Sequence, residues 1–157
     1  MLGAELVRRG HQICHVAING GDQLFWRCGK LLPFRGRRTA WPKYFSGLIA
    51  RERPDVIVLF GEWRPFHRDA IAIANIQNIP VWIFDEGYVR PGWVRMELAT
   101  ADGRPSFPIV PDVIMAMAPS HARPLRPVQV TSNFAYRAIY DVIYHFFRLG
   151  SWMAYPF

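Results

Sequence analysis

Glu62, Asp85 and Glu86 stand at the ends of two short apolar runs, Val56 to Phe60 and Val81 to Phe84. Crowded carboxylates push one of their pKa values upward, which suits general acid–base work, and an ionised carboxylate can also serve as a nucleophile. Arg64, His67, Arg68 and Arg90 lie beside these acids. Arginine clamps a carboxylate or phosphate through two parallel hydrogen bonds. Pro65 sets His67 and Arg68 in the first turn of a helix, where free N–H groups favour an anion. Basic side chains there run against the helix dipole, an arrangement that makes sense with an anion held between them. A third cluster, Asn19-Gly20-Gly21-Asp22, closes an earlier apolar run from Ile13 to Ile18. Glycines at such turns, Gly20 and Gly87 among them, let backbone approach a ligand closely. Tyr88, Trp63 and Trp93 offer rings on which a sugar or base could stack. The competing reading of each group is structural: acids at strand ends cap helices or pair with arginine. Both can hold, with the ion-pair network supporting the site.

The elements that must position these residues are legible in outline. Residues 2–9 read as a helix closed by Gly10. Ile13 to Ile18, Val56 to Phe60 and Val81 to Phe84 read as strands, the second an almost continuous apolar run of the buried parallel type. Residues 23–38 read as a loop rich in Gly, Arg and Lys. Helices are predicted from Trp41 to Arg51, with Thr39 as cap, and from Phe66 to Gln77, with Pro65 at its start. Alternation of strand and helix predicts an α/β, Rossmann-like parallel sheet. All three polar clusters would then share one edge, and ligands of open α/β sheets bind outside the carboxyl ends of the strands. With strands about 4.8 Å apart, acids on neighbouring strands reach a common ligand. Residues 99–131 carry many prolines and little periodicity, with one short strand expected near Val113–Met117. Asn133 to Leu149 is helical in pattern, with Arg137, Asp141, His145 and Arg148 on one narrow stripe. The expected division is a Rossmann-like lobe over 1–131 and an aromatic-rich helix over 132–157. Because the chain opens in a helix, the first strand of that lobe is expected to be missing, and a second lobe to lie beyond the closing helix.

Composition narrows the partners. The 157 residues are 51% hydrophobic and 20% charged, a globular balance, and a chain this long buries about 70% of its unfolded surface. The formal net charge of +7 favours anionic partners: phosphates, sugar acids or acidic lipid headgroups. Nucleic acid is disfavoured, because the basic residues cluster beside acids that would repel a long phosphate backbone. The cysteines, Cys14 and Cys28, form no CxxC pair and read as reduced thiols of a cytosolic protein, with no metal set around them. No cofactor motif is present: there is no GxGxxG after a strand and no GxxxxGK[ST], and GxSxG and HExxH are absent too. No secretory leader is visible, and no apolar stretch is long enough to span a membrane. The loop Arg35-Gly36-Arg37-Arg38 could touch acidic lipid, and the Asn133–Leu149 helix could lie on a membrane surface.

The run Gly61-Glu62-Trp63-Arg64-Pro65-Phe66-His67-Arg68-Asp69-Ala70-Ile71, followed by Ile79-Pro80-Val81-Trp82-Ile83-Phe84-Asp85-Glu86-Gly87-Tyr88-Val89-Arg90-Pro91-Gly92-Trp93, resembles the bacterial capsule polysaccharide biosynthesis and export family. Asn19-Gly20-Gly21-Asp22 and Glu97 fit the same pattern, and the resemblance covers roughly residues 2–110. Members of that family include β-Kdo transferases that build the lipid-linked start of capsules. The resemblance implies one lobe of a GT-B type glycosyltransferase and a CMP-activated acidic sugar donor such as CMP-Kdo. It also implies a lipid-linked or glycan acceptor, a cytoplasmic place at the inner face of the inner membrane, and contact with other capsule assembly proteins. Asp85-Glu86-Gly87 further resembles the acidic-acidic-Gly motif of bacterial sialyltransferases, in which one acid is base or nucleophile. On this likeness Asp85 and Glu86 are the catalytic candidates, and Glu62 joins them from its place at a strand end. Asn19, Gly20, Asp22, Arg64, His67, Arg68, Gly87, Tyr88 and Arg90 are the substrate-binding candidates. Two departures stand out. Many members have Cys after the acid where this chain has Trp63, and the His-Pro pair that holds the donor phosphate in sialyltransferase-like enzymes is absent here. The alternative reading is a non-catalytic export or assembly component that binds an anionic glycan or lipid.

Overall fold

A computed structural model describes residues 2–86, 94–99, 134–151 and 153–155. The elements are α1 (Leu2–Arg8), β1 (Cys14–Ala17), α2 (Gly20–Phe25), β2 (Lys30–Pro33), a 3-10 turn (Arg38–Ala40), α3 (Trp41–Glu52), β3 (Ile57–Phe60), α4 (Pro65–Ile76), β4 (Val81–Glu86), β5 (Val94–Leu98) and α5 (Phe134–Gly150). This is a mixed α/β fold in two compact units, one made of Met1–Trp41 with Ser132–Phe157, the other of Pro42–Thr131.

In the first unit α1 ends where the sequence predicts. Gly10 takes φ +87°. Its N–H donates to the Val7 carbonyl at 2.9 Å, and the His11 N–H donates to Leu6 at 3.0 Å. This pair of bonds caps two carbonyls that the helix leaves open. β1 and β2 pair in parallel, with Cys14 opposite Lys30 and Ala17 opposite Pro33. The expectation of a loop over 23–38 is corrected here. α2 takes its first residues, and β2 is only four residues long, its Leu31-Leu32 step set among Arg, Gly, Lys and Pro. Thr39 lies inside the 3-10 turn, whose N-cap is Arg37. Ala17, Phe34, Trp41 and Tyr155 are buried in this unit, and Phe34 meets Trp41 edge-on at 5.1 Å.

The second unit holds the three-stranded sheet β3-β4-β5. β3 and β4 are parallel, with Ile57 opposite Val81 and Phe60 opposite Phe84. α4 crosses between them and packs on β4, burying Ala70 and Ala74. It stops in the same way as α1: Asn78 takes φ +56°, and Ile79 N–H donates to Ala74 O at 3.0 Å. Pro80 then prevents continuation and delivers the chain into β4. Val81 and Ile83 are at most 6% exposed, and each contributes about 1.5–3 kcal/mol through that burial.

Two expectations about the sheet are corrected. β1 does not join β3 and β4; its hydrogen bonds go to β2, in a separate sheet. β5 was not anticipated, and it runs antiparallel to β4, so the sheet is mixed. The strand expected near Val113–Met117 lies outside the described residues.

Candidate functional site

At the end of the β3/β4 pair stand two of the predicted acid positions, Glu62 after β3 and Asp85 in β4. Phe60 and Phe84 are the last partners in register, and Gly61 adds one more bond, its N–H donating to the Phe84 carbonyl at 2.7 Å. Gly61 takes φ +75°, a left-handed conformation that L side chains adopt at a cost, and there the chain leaves the sheet. Glu62 comes next. Arg64 is the N-cap of α4, with extended backbone and no capping bond from its side chain, and Pro65 occupies the first turn. The amides of His67 and Arg68 both donate to the Arg64 carbonyl, at 2.9 and 3.1 Å. His67 folds back: Nδ1 lies 2.6 Å from the Gly61 carbonyl oxygen. One turn therefore carries Glu62, Arg64, His67 and Arg68 on the edge where β4 ends in Asp85 and Glu86.

β5 adds two charges that the sequence reading missed as a pair. Register sets Arg95 opposite Asp85 and Glu97 opposite Ile83, so both share the face of buried Val81 and Ile83. Arg95 Nη2 lies 3.7 Å from Asp85 Oδ2, and Nη1 lies 3.4 Å from Glu97 Oε1. At 3.7 Å the attraction to Asp85 is Coulombic rather than a hydrogen bond. With Asp85 40% exposed, solvent screening leaves such a pair worth at most about 1 kcal/mol of stability. Its effect is to orient charge. Meanwhile Val94, Met96 and Leu98 face outward and are exposed. This alternation is the reverse of a soluble strand's usual pattern. Inward charge guards an edge strand against mispairing. Here it also concentrates guanidinium and carboxylate beside Asp85. The signal was present in Val94-Arg95-Met96-Glu97-Leu98, a strict period of two.

Asn19, Gly20 and Asp22 belong to the first unit, where they follow β1, the strand paired with β2. Asn19 caps α2: its Oδ1 accepts from the Asp22 N–H at 2.9 Å, and its Nδ2 donates to Asp22 Oδ2 at 2.9 Å. The Asp22 carboxylate also accepts from the Ile18 N–H at 3.3 Å. Tyr144 of α5 closes the group, accepting from Asn19 Nδ2 and donating to Asp22 Oδ1, both at 3.1 Å. Ser151 Oγ accepts from the Gly20 N–H at 2.9 Å. A Cβ on Gly20 would fall 2.6 Å from Ser151, and one on Gly21 would fall 2.4 Å from the Tyr144 ring. In this structure the two glycines admit a helix. Asn19 is 5% exposed, its polar atoms satisfied by these partners. Nearby, His15 stacks on Trp26 with centroids 4.3 Å apart. Burial holds the His15 pKa below its ordinary value, with the Asp22 carboxylate opposing the shift.

Gly87, Tyr88 and Arg90 lie outside the described residues. Among the described residues no group of three or more His, Cys, Asp or Glu could hold a metal ion, and no helix is long and apolar enough to cross a membrane.

Comparison with known proteins bears on the same segment. The profile of the family described as capsule polysaccharide biosynthesis protein matches residues 55–156, from the approach to β3 through α5. The chain belongs to the capsule polysaccharide biosynthesis family. This member is 29% identical over 121 residues to the capsule polysaccharide export protein KpsS of Escherichia coli, covering 75% of the chain and 31% of that relative. It is 30% identical over 108 residues to the capsule polysaccharide modification protein LipB of Neisseria meningitidis serogroup A, covering 68% of the chain and 25% of the relative. The serogroup B LipB matches equally. The chain thus spans a third or less of the length of these curated relatives. No solved structure matches it.

Proposed function

We propose that this chain carries the acid-bearing rim of a capsular glycosyltransferase, as part of one lobe of a GT-B type fold. Its reaction is the transfer of a CMP-activated acidic sugar such as Kdo to a lipid-linked acceptor. The single observation that supports this most is the parallel register that ends β3 and β4 side by side, just before Glu62 and at Asp85, with Arg95 3.7 Å from Asp85. Carboxylates suit the developing positive charge of a sugar undergoing substitution, and either Asp85 or Glu86 is the base or nucleophile. The cations suit the donor phosphate and sugar carboxylate. Family membership and the printed names of KpsS and LipB support the capsular setting.

The acceptor in this reading is lipid-linked, so the protein works on the cytoplasmic side, in peripheral contact with the inner face of the inner membrane. Exposed Val142, Phe146 and Leu149 on α5 and the net charge of +7 support that placement. Replacing Asp85 and Glu86 together with Ala in the intact protein should lower sugar transfer by about 10²–10⁴-fold or more, the range for losing a positioned catalytic group. Transfer at the parental rate refutes the reading. The name of the E. coli relative favours one alternative, an export component that holds an anionic glycan without turning it over. Tight binding of a phospholipid–sugar with no consumption of donor would select it.

A further inference from the structure

We propose that the aromatic cleft between α2 and α5 holds one neutral sugar ring of a glycan. The assignment rests on the cleft and on membership of the capsule polysaccharide family, not on sugar transfer. It applies whether the protein builds a glycan or only carries one. Four side chains line the cleft: Phe25, the last residue of α2, and Tyr140, Asp141 and Tyr144 of α5. All four belong to the first unit. The volume is about 230 Å³, below the roughly 300–1,000 Å³ of pockets that take drug-sized ligands, so there is room for one ring.

The rings are set in advance of any guest. Tyr140 and Tyr144 stand four positions apart on α5 and so come from successive turns of one face. Phe25 lies 5.5 Å from Tyr140, tilted by 48°, and 6.3 Å from Tyr144, at 27° between planes. Tyr144 is held in place, its hydroxyl bonded to Asn19 and Asp22 and its ring backed by Gly21. The side chains of Tyr140 and Asp141, by contrast, have no hydrogen bond or ion pair among the described residues. Tyr140 is 55% exposed and Phe25 39%. The cleft therefore offers an apolar floor, with a phenol and a carboxylate at its rim that a guest can engage.

A pyranose matches that pattern. Its flat face is made of C–H bonds and its edge of hydroxyls. The face lies on the rings, while hydroxyls donate to the Asp141 carboxylate and bond the Tyr140 phenol. A cation gains little from rings this open, because it keeps much of its water, and the net charge of +7 opposes its approach. An acidic sugar would bring a second negative charge against Asp141, which no described partner neutralises. The rim therefore selects a neutral ring, although the chain as a whole attracts anions.

Two probes that differ at one carbon isolate that choice. Methyl β-glucoside carries a hydroxymethyl group where methyl β-glucuronide carries a carboxylate. NMR of the full chain, isotope-labelled at Phe and Tyr, follows the rings as each probe is added. Shifts are expected at Phe25, Tyr140 and Tyr144, with the glucoside bound about tenfold more tightly than the glucuronide. Asp141→Asn keeps the side chain's shape, removes its charge and should bring the two affinities within about threefold. Tyr140→Ala should weaken glucoside binding by about tenfold or more. The proposal is overturned by glucoside leaving these rings unshifted at tens of millimolar, by equal or tighter binding of the glucuronide, or by an unchanged ratio in Asp141→Asn. Choline shifting the rings where the glucoside does not makes the cleft a cation site and overturns it too. None of these readings involves donor turnover, so failure here leaves the transfer reading standing.

Discussion

Gly21→Ala tests one of the closest approaches among the described residues. The new methyl would lie 2.4 and 2.5 Å from Cδ2 and Cε2 of Tyr144 and 3.0 Å from Asn19 Oδ1. Carbon atoms pack at about 3.5–4.0 Å, so the ring must retreat by roughly 1 Å. Overpacking of this kind costs about 1–3 kcal/mol. The retreat also strains the two 3.1 Å bonds of the Tyr144 hydroxyl, to Asn19 and Asp22. Each is worth about 0.5–1.5 kcal/mol. Against this, Ala gains up to about 1 kcal/mol over Gly in helix propensity. The balance is a destabilisation near 3 kcal/mol, or a fall in Tm of about 6–12 °C for a domain of this size. Gly47→Ala is the control: it lies in α3 with nothing within 4 Å of its Cβ, and should stabilise by about 0.5–1 kcal/mol. Thermal unfolding followed by circular dichroism reads both. Should Gly21→Ala melt at or above the parental temperature, the seating of α5 on α2 through Tyr144 is wrong.

Two further outcomes follow from the geometry. Gly61→Ala meets no neighbour within 4 Å, so its cost is conformational: about 1–2 kcal/mol for an L residue at φ +75°, seen as a lower denaturant midpoint with unchanged slope. The His15 pKa is depressed in the fold, so the unfolded chain binds that proton more readily. Its contribution is full above the ordinary value of 6.5 and is lost as pH falls toward the folded pKa. Urea unfolding at about pH 7.5 and about pH 5 should therefore show a larger loss for the parent than for His15→Phe, which keeps a ring against Trp26 and cannot titrate.

The acids of the site owe their meeting to backbone pairing. Glu62 and Asp85 are 23 positions apart in the chain, and the parallel register of β3 and β4 brings their strand ends side by side. Arg95 then arrives from an antiparallel strand, which reverses the chain and returns a guanidinium to the Asp85 side. The substitutions of Asp85 and Glu86 read the chemistry of this rim.

Local signals were enough for much of the chain. Apolar runs closed by Gly-Glu and by Asp-Glu mark β3 and β4, Pro65 marks the start of α4, and Gly10 the end of α1. Each rests on a conformational preference that a few neighbouring residues satisfy among themselves, which is why it can be read without a fold. The motif around Glu62 and Asp85 could likewise be recognised as that of a capsule family. What β1 pairs with could not: a strand's N–H and C=O groups accept any edge of the right direction, and the choice of β2 over β3 is made by contacts distant in sequence. For the same reason the sequence shows Asn19-Gly20-Gly21-Asp22 only as a glycine-bearing polar turn, and its hydrogen bonds to Tyr144 and Ser151, more than 120 residues later, belong to the tertiary structure. The contact of His67 is of this kind too: its place in the first turn follows from Pro65, but its Nδ1 meets the carbonyl of Gly61 only because the chain turns there in a left-handed conformation.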